Sequence, residues 1–515
     1  MPRYVLGCDV GSQGLKTILL REDGTAVAES YEAYPISHPR PAWAEQDAGA
    51  WFSALTNTIR KVVAETSVDP SSIVALGVDS QVDGVVAVDR RGTPLYPAII
   101  WMDRRATREC EALADLEQRI FDITGVNLDA SHVAPKIMWL RRNEPSVYEK
   151  AWRFLLPGSF ILYRLTGQLG VDYSNASSTM LMDVTKKQWS DELLRATGID
   201  KDRLAPILPA TKVVGTLLPA VADLLGLSND VQVVVGCGDE HAACVGAGVI
   251  ATGYLCDIVG TAEPVCVAST LPVFDDTKLV ETHCHADPDL WLIENPGFVS
   301  GGNYNWFKSH FASEEQSVAG RMGKSPYDLL NAEASHAPPG SEGLVFIPCL
   351  MGAMTPEWNS YARGAFFGIT LKHGKGHFIR AIMEGSAYGL KDILTRIEAM
   401  GIPVDEIRVV GGGAKGDLWR QIRADVTGKV VAVPAITETT SLGAAMVAAV
   451  GTGIFTSFPE AAGACVRIVE RRQPMEKNEP MYREMYQLYR QVYASLKPCF
   501  KTLADIQAQE NCVKD

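Results

Sequence analysis

The sequence predicts an α/β protein built from two similar domains, and three observations carry that reading. Short apolar strands alternate with tight polar turns and amphipathic helices, and the same strand-and-glycine-turn device returns in the second half of the chain. The chain is also 515 residues long, about three times a typical domain of roughly 150.

Taken in order, Tyr4 to Cys8 reads as a buried strand, Asp9 to Gly14 as a turn of phosphate size, and Lys16 to Leu20 as a second strand. Glu22-Asp23-Gly24-Thr25 then closes a hairpin with Asp23-Gly24 at its tip. Asp47 to Thr66 sets Trp51, Leu55, Ile59 and Val62-Val63 on one helical face. Ile73 to Val78 and Gly84 to Asp89 repeat the strand-turn-strand pattern. The device starts over at Val231 to Val235, which leads into Gly236-Cys237-Gly238-Asp239. Gly253 to Gly260 ends in the turn Gly260-Thr261, and Ile407 to Val410 runs into Gly411-Gly412-Gly413 ahead of a helix from Leu418 to Val426. These repeats place a domain boundary near residues 246 to 255, on pattern alone, since exact repetition is absent. Between Leu271 and Pro348 the pattern loosens, and Gly297 to Gly302 reads either as cleft-lining loop or as plain connector. Beyond Pro480, Tyr482, Tyr486, Tyr489 and Tyr493 share one helical face, which predicts a terminal helix docked on the body; a ligand-binding aromatic stripe is the other reading.

Composition removes whole classes of function. Lys and Arg number 48 against 61 Asp and Glu, a formal charge of −13, so a nucleic-acid-binding face is not expected. Hydrophobic residues at 47% and charged residues at 21% describe a globular chain and exclude disorder. No window holds the roughly 18 uninterrupted apolar residues of a membrane span. The nearest, Ser441 to Phe455, is short and rich in Ala and Gly, and the apolar start at Tyr4 to Val10 is interrupted by Asp9, so neither a span nor a signal peptide is expected. Eleven cysteines without a CxxC pair, several in apolar runs, read as small buried hydrophobes in a reducing cytoplasm.

Three turns could carry chemistry. In Asp9-Val10-Gly11-Ser12-Gln13-Gly14-Leu15-Lys16 the glycines let backbone N–H groups approach an anion, Ser12 and Gln13 add side-chain donors, and Lys16 adds charge. Asp9 suits a hydrated Mg²⁺ on a nucleotide, and a plain hairpin is the alternative. Asp239 opens a helix, where a carboxylate caps the first turn or, facing a cleft, takes the proton of an attacking hydroxyl. Gly411 to Asp417 superficially resembles a dinucleotide fingerprint, but it lies far from the start of the chain. No P-loop is present, so a nucleotide site would be assembled from separated turns.

Taken together, Asp9 to Ser12, Gly236 to Gly248, Gly260-Thr261 and Gly411 to Asp417 resemble the FGGY family of carbohydrate kinases, of the actin, Hsp70 and sugar-kinase superfamily. Gly364 to Ile369 with His377-Phe378 and Ala381 to Glu384 is similar to that family's carboxyl-domain signature. Lys136 to Asn143 is similar to its amino-domain signature, although Val133 departs from it. The resemblance spans roughly residues 4 to 495. It implies two ribonuclease-H-like domains with ATP and sugar meeting in the cleft: a sugar-binding domain over 1–248, a nucleotide-binding domain over 249–465, and a helical tail over 466–515.

It implies roles as well. Asp9 is the metal-associated residue; Ser12, Gln13 and Lys16 form the first phosphate turn, and Gly260 and Thr261 the second. Gly412, Gly413 and Asp417 form the adenosine-side loop. Asp239 is the catalytic base, with Glu240 beside it touching the sugar. Gln81, Val82 and Asp83 stand where relatives contact sugar, and Trp101 and Asp103 resemble the family's Trp-x-Asp-x-Arg element, core packing being the other reading of Trp101. Glycerol kinases have Arg-Glu where this chain has Val82-Asp83, which argues against glycerol. Xylulose kinases, the nearest in overall pattern, have Gln-Met-His-Gly where it has Gln81-Val82-Asp83-Gly84. Asp83 should then accept from sugar hydroxyls. The expected enzyme is an ATP- and Mg²⁺-dependent kinase of a ketopentose such as D-xylulose, with another pentulose or a polyol (ribulose, erythritol, xylitol, arabinitol) as the alternative. It is expected to be cytoplasmic, to bind neither nucleic acid nor membrane, and to form a homodimer as family members often do. An actin- or Hsp70-type ATPase would need a further domain or insertions that the sequence lacks, and a dead sugar sensor would have lost Asp239.

Overall fold

The computed structural model describes residues 2–512. Two seven-stranded sheets organise it, and each begins the same way. In the first, β1 (Tyr4–Val10) is buried on both faces, which explains its unbroken apolar run. It pairs antiparallel with β2 (Gly14–Arg21), and β2 with β3 (Ala26–Ala33), through a turn whose Gly24 has φ +88°. Helix α1 (Ala48–Ala64), capped by Asp47, leads to β4 (Ile73–Ser80), parallel to β1. Further on come α2 (Val133–Asn143), β5 (Val213–Thr216), β6 (Gln232–Val234), β7 (Cys237–Gly238) and α3 (Asp239–Gly246). The order is β5-β6-β4-β1-β2-β3, with β7 joined to β4.

The second sheet comprises β8 (Gly253–Ile258), β9 (Ala262–Ser269), β10 (Glu281–Cys284), β11 (Trp291–Val299), β12 (Val404–Val410), β13 (Val430–Pro434) and β14 (Ile468–Arg472). Its order is β10-β11-β9-β8-β12-β13-β14. Strands β8, β9 and β11 are antiparallel, and β12 and β13 are parallel to β8, the same arrangement as β1, β2, β3, β4 and β6. This doubled ribonuclease-H-like topology is the internal duplication that the strand-and-turn pattern predicted.

Two helices are exchanged between the halves. Helix α6 (Thr439–Gly451) falls between two strands of the second sheet in sequence, yet its Leu442, Ala445 and Met446 pack into one cluster with Val5, Ile18 and Ala75 of the first. Conversely, Cys244 and Ala247, in and just after α3, pack with Cys256, Cys266 and Leu292 of the second sheet. The helices meet backbone to backbone: a Cβ on Gly443 would lie 1.9 Å from the Ala242 carbonyl oxygen, and one on Gly246 would lie 2.0 Å from that of Thr439. Neither oxygen can move without parting the helices. Gly443→Ala is therefore expected to lower stability by about 3 kcal/mol in urea denaturation, the upper range for overpacking, and a loss below about 1 kcal/mol would show that the crossing yields freely.

A second attachment lies at the far edge. Besides pairing with β11, strand β10 donates its Thr282 N–H to Gly125 O at 2.9 Å and its Cys284 N–H to Ser177 Oγ at 3.2 Å, and the Glu281 carboxylate accepts the Asn127 N–H at 2.7 Å.

Two expectations are corrected. The Leu271 to Pro348 stretch is not loop but β10, β11 and the helices Gly301–Phe311, Ser313–Met322 and Pro326–His336. The helical tail begins at Glu479, because Ile468–Arg472 pairs with β13 as an edge strand. That tail, α7 (Glu479–Cys512), does dock on the body. Tyr482, Tyr489 and Tyr493 are buried, and the Tyr482 and Tyr486 hydroxyls donate to Glu384 and Asp392 on α4 (Lys375–Ala399). Among the described residues no helix is long and apolar enough to cross a membrane. Cys8, Cys237, Cys244, Cys256 and Cys266 are free and buried, as expected of small hydrophobes.

Candidate active site

The phosphate-sized turns open at corresponding ends of the two sheets. At the first, Asp9 ends β1, and Gly11 N–H donates to Gly14 O at 3.1 Å to close the hairpin. The parallel register sets Asp79 of β4 directly opposite Asp9. Asp239 follows β7, whose Cys237 is also in register with Asp79. Three carboxyl groups are thereby gathered with one nearby cation, Lys16. Asp9 is pushed up to about 6 by burial, and Asp239 to about 8 by burial and then by Asp9. Burial, with Asp9 and Asp239, holds Asp79 well above the usual carboxylate range. One oxygen of Asp9 and both of Asp79 are buried without a hydrogen-bond partner.

Such orphaned oxygens fit a hard divalent cation. Among the described residues no three acidic, imidazole or thiol groups form a ready-made coordination shell, so an ion here would draw its remaining ligands from water and phosphate, as Mg²⁺ does.

The second and third turns are joined to each other. Gly413 N–H donates to Val259 O at 3.0 Å, and a Cβ on Gly413 would fall 2.1 Å from the Val259 side chain. The N–H groups of Ser300 and Gly302 donate to Thr261 O, and a Cβ on Gly301 would lie 2.3 Å from Gly260 O. The glycine stretch from Gly297 thus braces the second turn by close approach. Gly260, Thr261 and Gly412 remain exposed, Gly413 partly so. Asp417 opens α5 (Asp417–Thr427) and is largely exposed, its carboxylate ion-paired with Arg420 and Arg472.

A cavity of about 230 Å³ lies between the lobes, lined from Ser12 and Ala262 at the phosphate turns to Glu281 and Trp358. Val82, Asp83, Trp101, Asp239 and Glu240 all line it. Trp101 is no core residue: it is 40% exposed, and its indole N–H donates to Ser12 Oγ at 2.7 Å, joining the cavity to the first turn.

Gln81 and Asp103 lie outside the cavity lining. Gln81 is fully buried and donates to Gln46 at 2.8 Å, and Gln46 donates in turn to Ser12 O, so Gln81 supports the phosphate turn from behind. Asp103 is fully buried against Arg105, its oxygens accepting from Arg105 at 2.7 to 3.0 Å and from Ala44 N–H. The Arg105 guanidinium stacks on Trp43, 3.6 Å from the ring centroid. It is the neighbour, Arg104, that reaches the cavity, paired with Asp129.

Asp83 adopts φ +59° and reaches the cavity as half of an ion pair, with His132 Nδ1 at 3.1 Å. Burial works to lower His132, but the Asp83 charge outweighs it and raises the imidazole to about 9. Asp83 is not the free anionic acceptor that its sequence position suggested. Lys136, fully buried on α2, donates to the backbone carbonyls of Asp83 and Ile100, at 2.6 and 2.9 Å, and of Ser131.

Sequence reasoning missed Asp79, and it missed the second-lobe wall of Glu281, His283, Glu294 and Trp358. Only register reveals Asp79; Glu281, His283 and Glu294 lie on strands read as loop, and Trp358 lies in an irregular segment beyond them.

The chain is similar to known proteins over nearly its whole length. The model of the FGGY family of carbohydrate kinases, N-terminal domain, matches residues 4–246, and that of the C-terminal domain matches residues 257–452. Xylulose kinase of Bacillus subtilis is 30% identical over 496 residues, covering 96% of this chain and 97% of that protein. Gluconokinase of the same organism is 30% identical over 511 residues, covering 98% and 99%. The crystal structure of ligand-bound xylulose kinase from Lactobacillus acidophilus superposes with a TM-score of 0.89 at 25% identity, covering 97% of this chain and all of that one.

Proposed function

Because the chain belongs to the FGGY family of carbohydrate kinases, we propose that it phosphorylates a hydroxyl of a neutral ketopentose such as D-xylulose, using ATP and Mg²⁺ in the cytoplasm. The observation that carries the choice of substrate is the charge of the cavity. Asp83, Asp129, Asp239, Glu240, Glu281 and Glu294 line it, and its basic groups already face carboxylates: His132 faces Asp83, Arg104 faces Asp129, and His283 lies 3.6 Å from Glu281. The remaining base, His241, is kept neutral by burial. A sugar acid such as gluconate would set a further carboxylate among these groups, whereas the hydroxyls of a neutral sugar donate to them.

In this reading Asp239 accepts the proton of the substrate hydroxyl while its oxygen attacks the terminal phosphorus and the bond to the ADP oxygen breaks. Burial and Asp9 raise the basicity of Asp239, which suits that task. Ser12, Gln13 and Lys16 hold phosphate at the first turn, with Gly260 and Thr261 at the second, mainly through fixed N–H donors. Gly412, Gly413 and the start of α5 hold the adenosine side. Asp9 and Asp79 would hold Mg²⁺, which when bound neutralises charge on the phosphates.

The test is ADP release with MgATP against D- and L-xylulose, D- and L-ribulose, erythritol, xylitol, D-arabinitol, glycerol and D-gluconate. A ketopentose should stimulate most and gluconate least. Silence with every compound would sink the reading, a pentitol ahead of all ketoses would move it to polyols, and preference for gluconate would overturn the charge argument.

A further inference from the structure

The second lobe supplies a wall of the cavity in which Glu294 faces other carboxyl groups. Glu294 of β11 stands directly opposite Glu281 of β10, with Cys266 of β9 on its other side. Its residue is 3% exposed and lines the cavity, and the donor in contact with its carboxylate is a thiol, Cys266 Sγ at 3.8 Å. The titratable groups that face it are Glu240 from α3, Glu281 and His283 from β10, and Asp83 from the loop after β4. Glu240 and Glu294 line the same cavity, and each carboxyl group disfavours the charge of the other or shares a proton with it. Two carboxyl groups buried in one cavity, whose neighbouring imidazole, His283, lies against Glu281, are costly in a core and are replaced there by apolar side chains.

A second observation points to a ligand independently. His241 and His283, 1% and 3% exposed, meet edge to face at 5.9 Å, and both line the cavity. Both ring nitrogens of His241, and Nε2 of His283, have no hydrogen-bond partner. Buried imidazoles left in that state, around a void, are groups that a polar ligand completes.

We propose that Glu294 is a specificity-determining residue that, with Glu240 across the cleft, binds substrate hydroxyls other than the one phosphorylated. The substrate class is then a neutral compound with hydroxyls on adjacent carbons, long enough to touch both lobes at once. Glu240 reads it from the first lobe and Glu294 from the second, with His241 available to donate or accept between them. Glycerol, with a single hydroxyl beyond any adjacent pair, satisfies this wall poorly, and a five-carbon ketose or polyol satisfies it well.

The inference rests on the kinase reading, and Glu294→Gln and Glu294→Leu test it. The glutamine variant keeps the shape but can no longer serve as an anionic acceptor, and the leucine variant removes every polar atom at similar volume. Steady-state kinetics with the best substrate of the panel, and calorimetric binding of that substrate without nucleotide, are the readouts. The expected result is a sugar KM and Kd raised roughly tenfold in Glu294→Gln and more in Glu294→Leu, with ATP KM within about twofold of wild type. The penalty should fall on five-carbon substrates and leave glycerol, if it is turned over at all, nearly unchanged. Sugar KM within twofold in both variants overturns the inference and leaves the kinase reading standing. An equal rise in sugar and ATP KM overturns it as well, since that marks a structural role. A wild type whose ADP release ignores every sugar and polyol overturns both.

Discussion

Asp239→Asn is expected to lower kcat by roughly a thousandfold while leaving the Kd for sugar within about threefold, because general-base catalysis contributes about 10² to 10⁴ and asparagine retains the size and hydrogen bonding of the side chain. The position leaves little freedom for compensation. Gly238 before it is pressed so closely that a Cβ would lie 2.7 Å from Val82 and 2.9 Å from His241. One Asp239 oxygen is held by the Glu240 N–H at 3.0 Å at the start of α3. Asp9 and Asp79 are fixed on neighbouring strands by their parallel register. Single-turnover kinetics and calorimetric sugar binding make the measurement. Turnover within tenfold of wild type would remove Asp239 as base.

Lys136→Met is expected to cost about 3 to 5 kcal/mol of stability, the range found when one partner of a buried charged network is removed. The Lys136 side chain is enclosed, and burial lowers its ammonium to about 8 against the pull of Asp83 and Asp103. It stays protonated at neutral pH because three carbonyls, of Asp83, Ile100 and Ser131, accept from it. Methionine matches the length of the stem and restores none of these bonds, so three buried acceptors are orphaned together. The carbonyl of Asp83 is among them, and Asp83 holds φ +59°. Sugar KM should therefore rise along with the loss of stability. Urea denaturation checks the first effect, and a loss below about 1 kcal/mol would show that the three carbonyls find other donors.

Much of this was legible in the sequence, for identifiable reasons. Strands buried on both faces leave continuous apolar runs, and turns that admit phosphate must be glycine-rich, so β1, β8 and β12 and the turns after them stand out residue by residue. Asp239 was visible because it follows such a turn and opens a helix. What escaped depends on partners distant in sequence. Gln81 and Asp103 carry the polar chemistry of a binding site, and only Gln46 and Arg105 reveal that each is spent on support. Asp83 looked like a free anion until α2 brought His132 against it. Asp79 gained its place opposite Asp9 from a parallel register that no local pattern encodes. Glu281 and Glu294 sit in a stretch whose glycines and tryptophans suggested loop, because close approach at Gly301 and Gly302 and a true loop draw on the same residue type.

The glycine crossing of α3 and α6 and the double attachment of β10 can be considered as mechanics. Each is a place where one half grips the other with little slack, at bare backbone contact in the first case and through main-chain donors in the second. Two bodies pinned at two separated points retain one easy motion, a rotation about the line through both pins. β10 carries Glu281 and His283 into the cavity lining, so the second pin and one wall of the cavity are the same strand. A substitution that loosens that strand from Gly125 and Ser177 would therefore be felt in the shape of the cavity as well as in the stability of the fold.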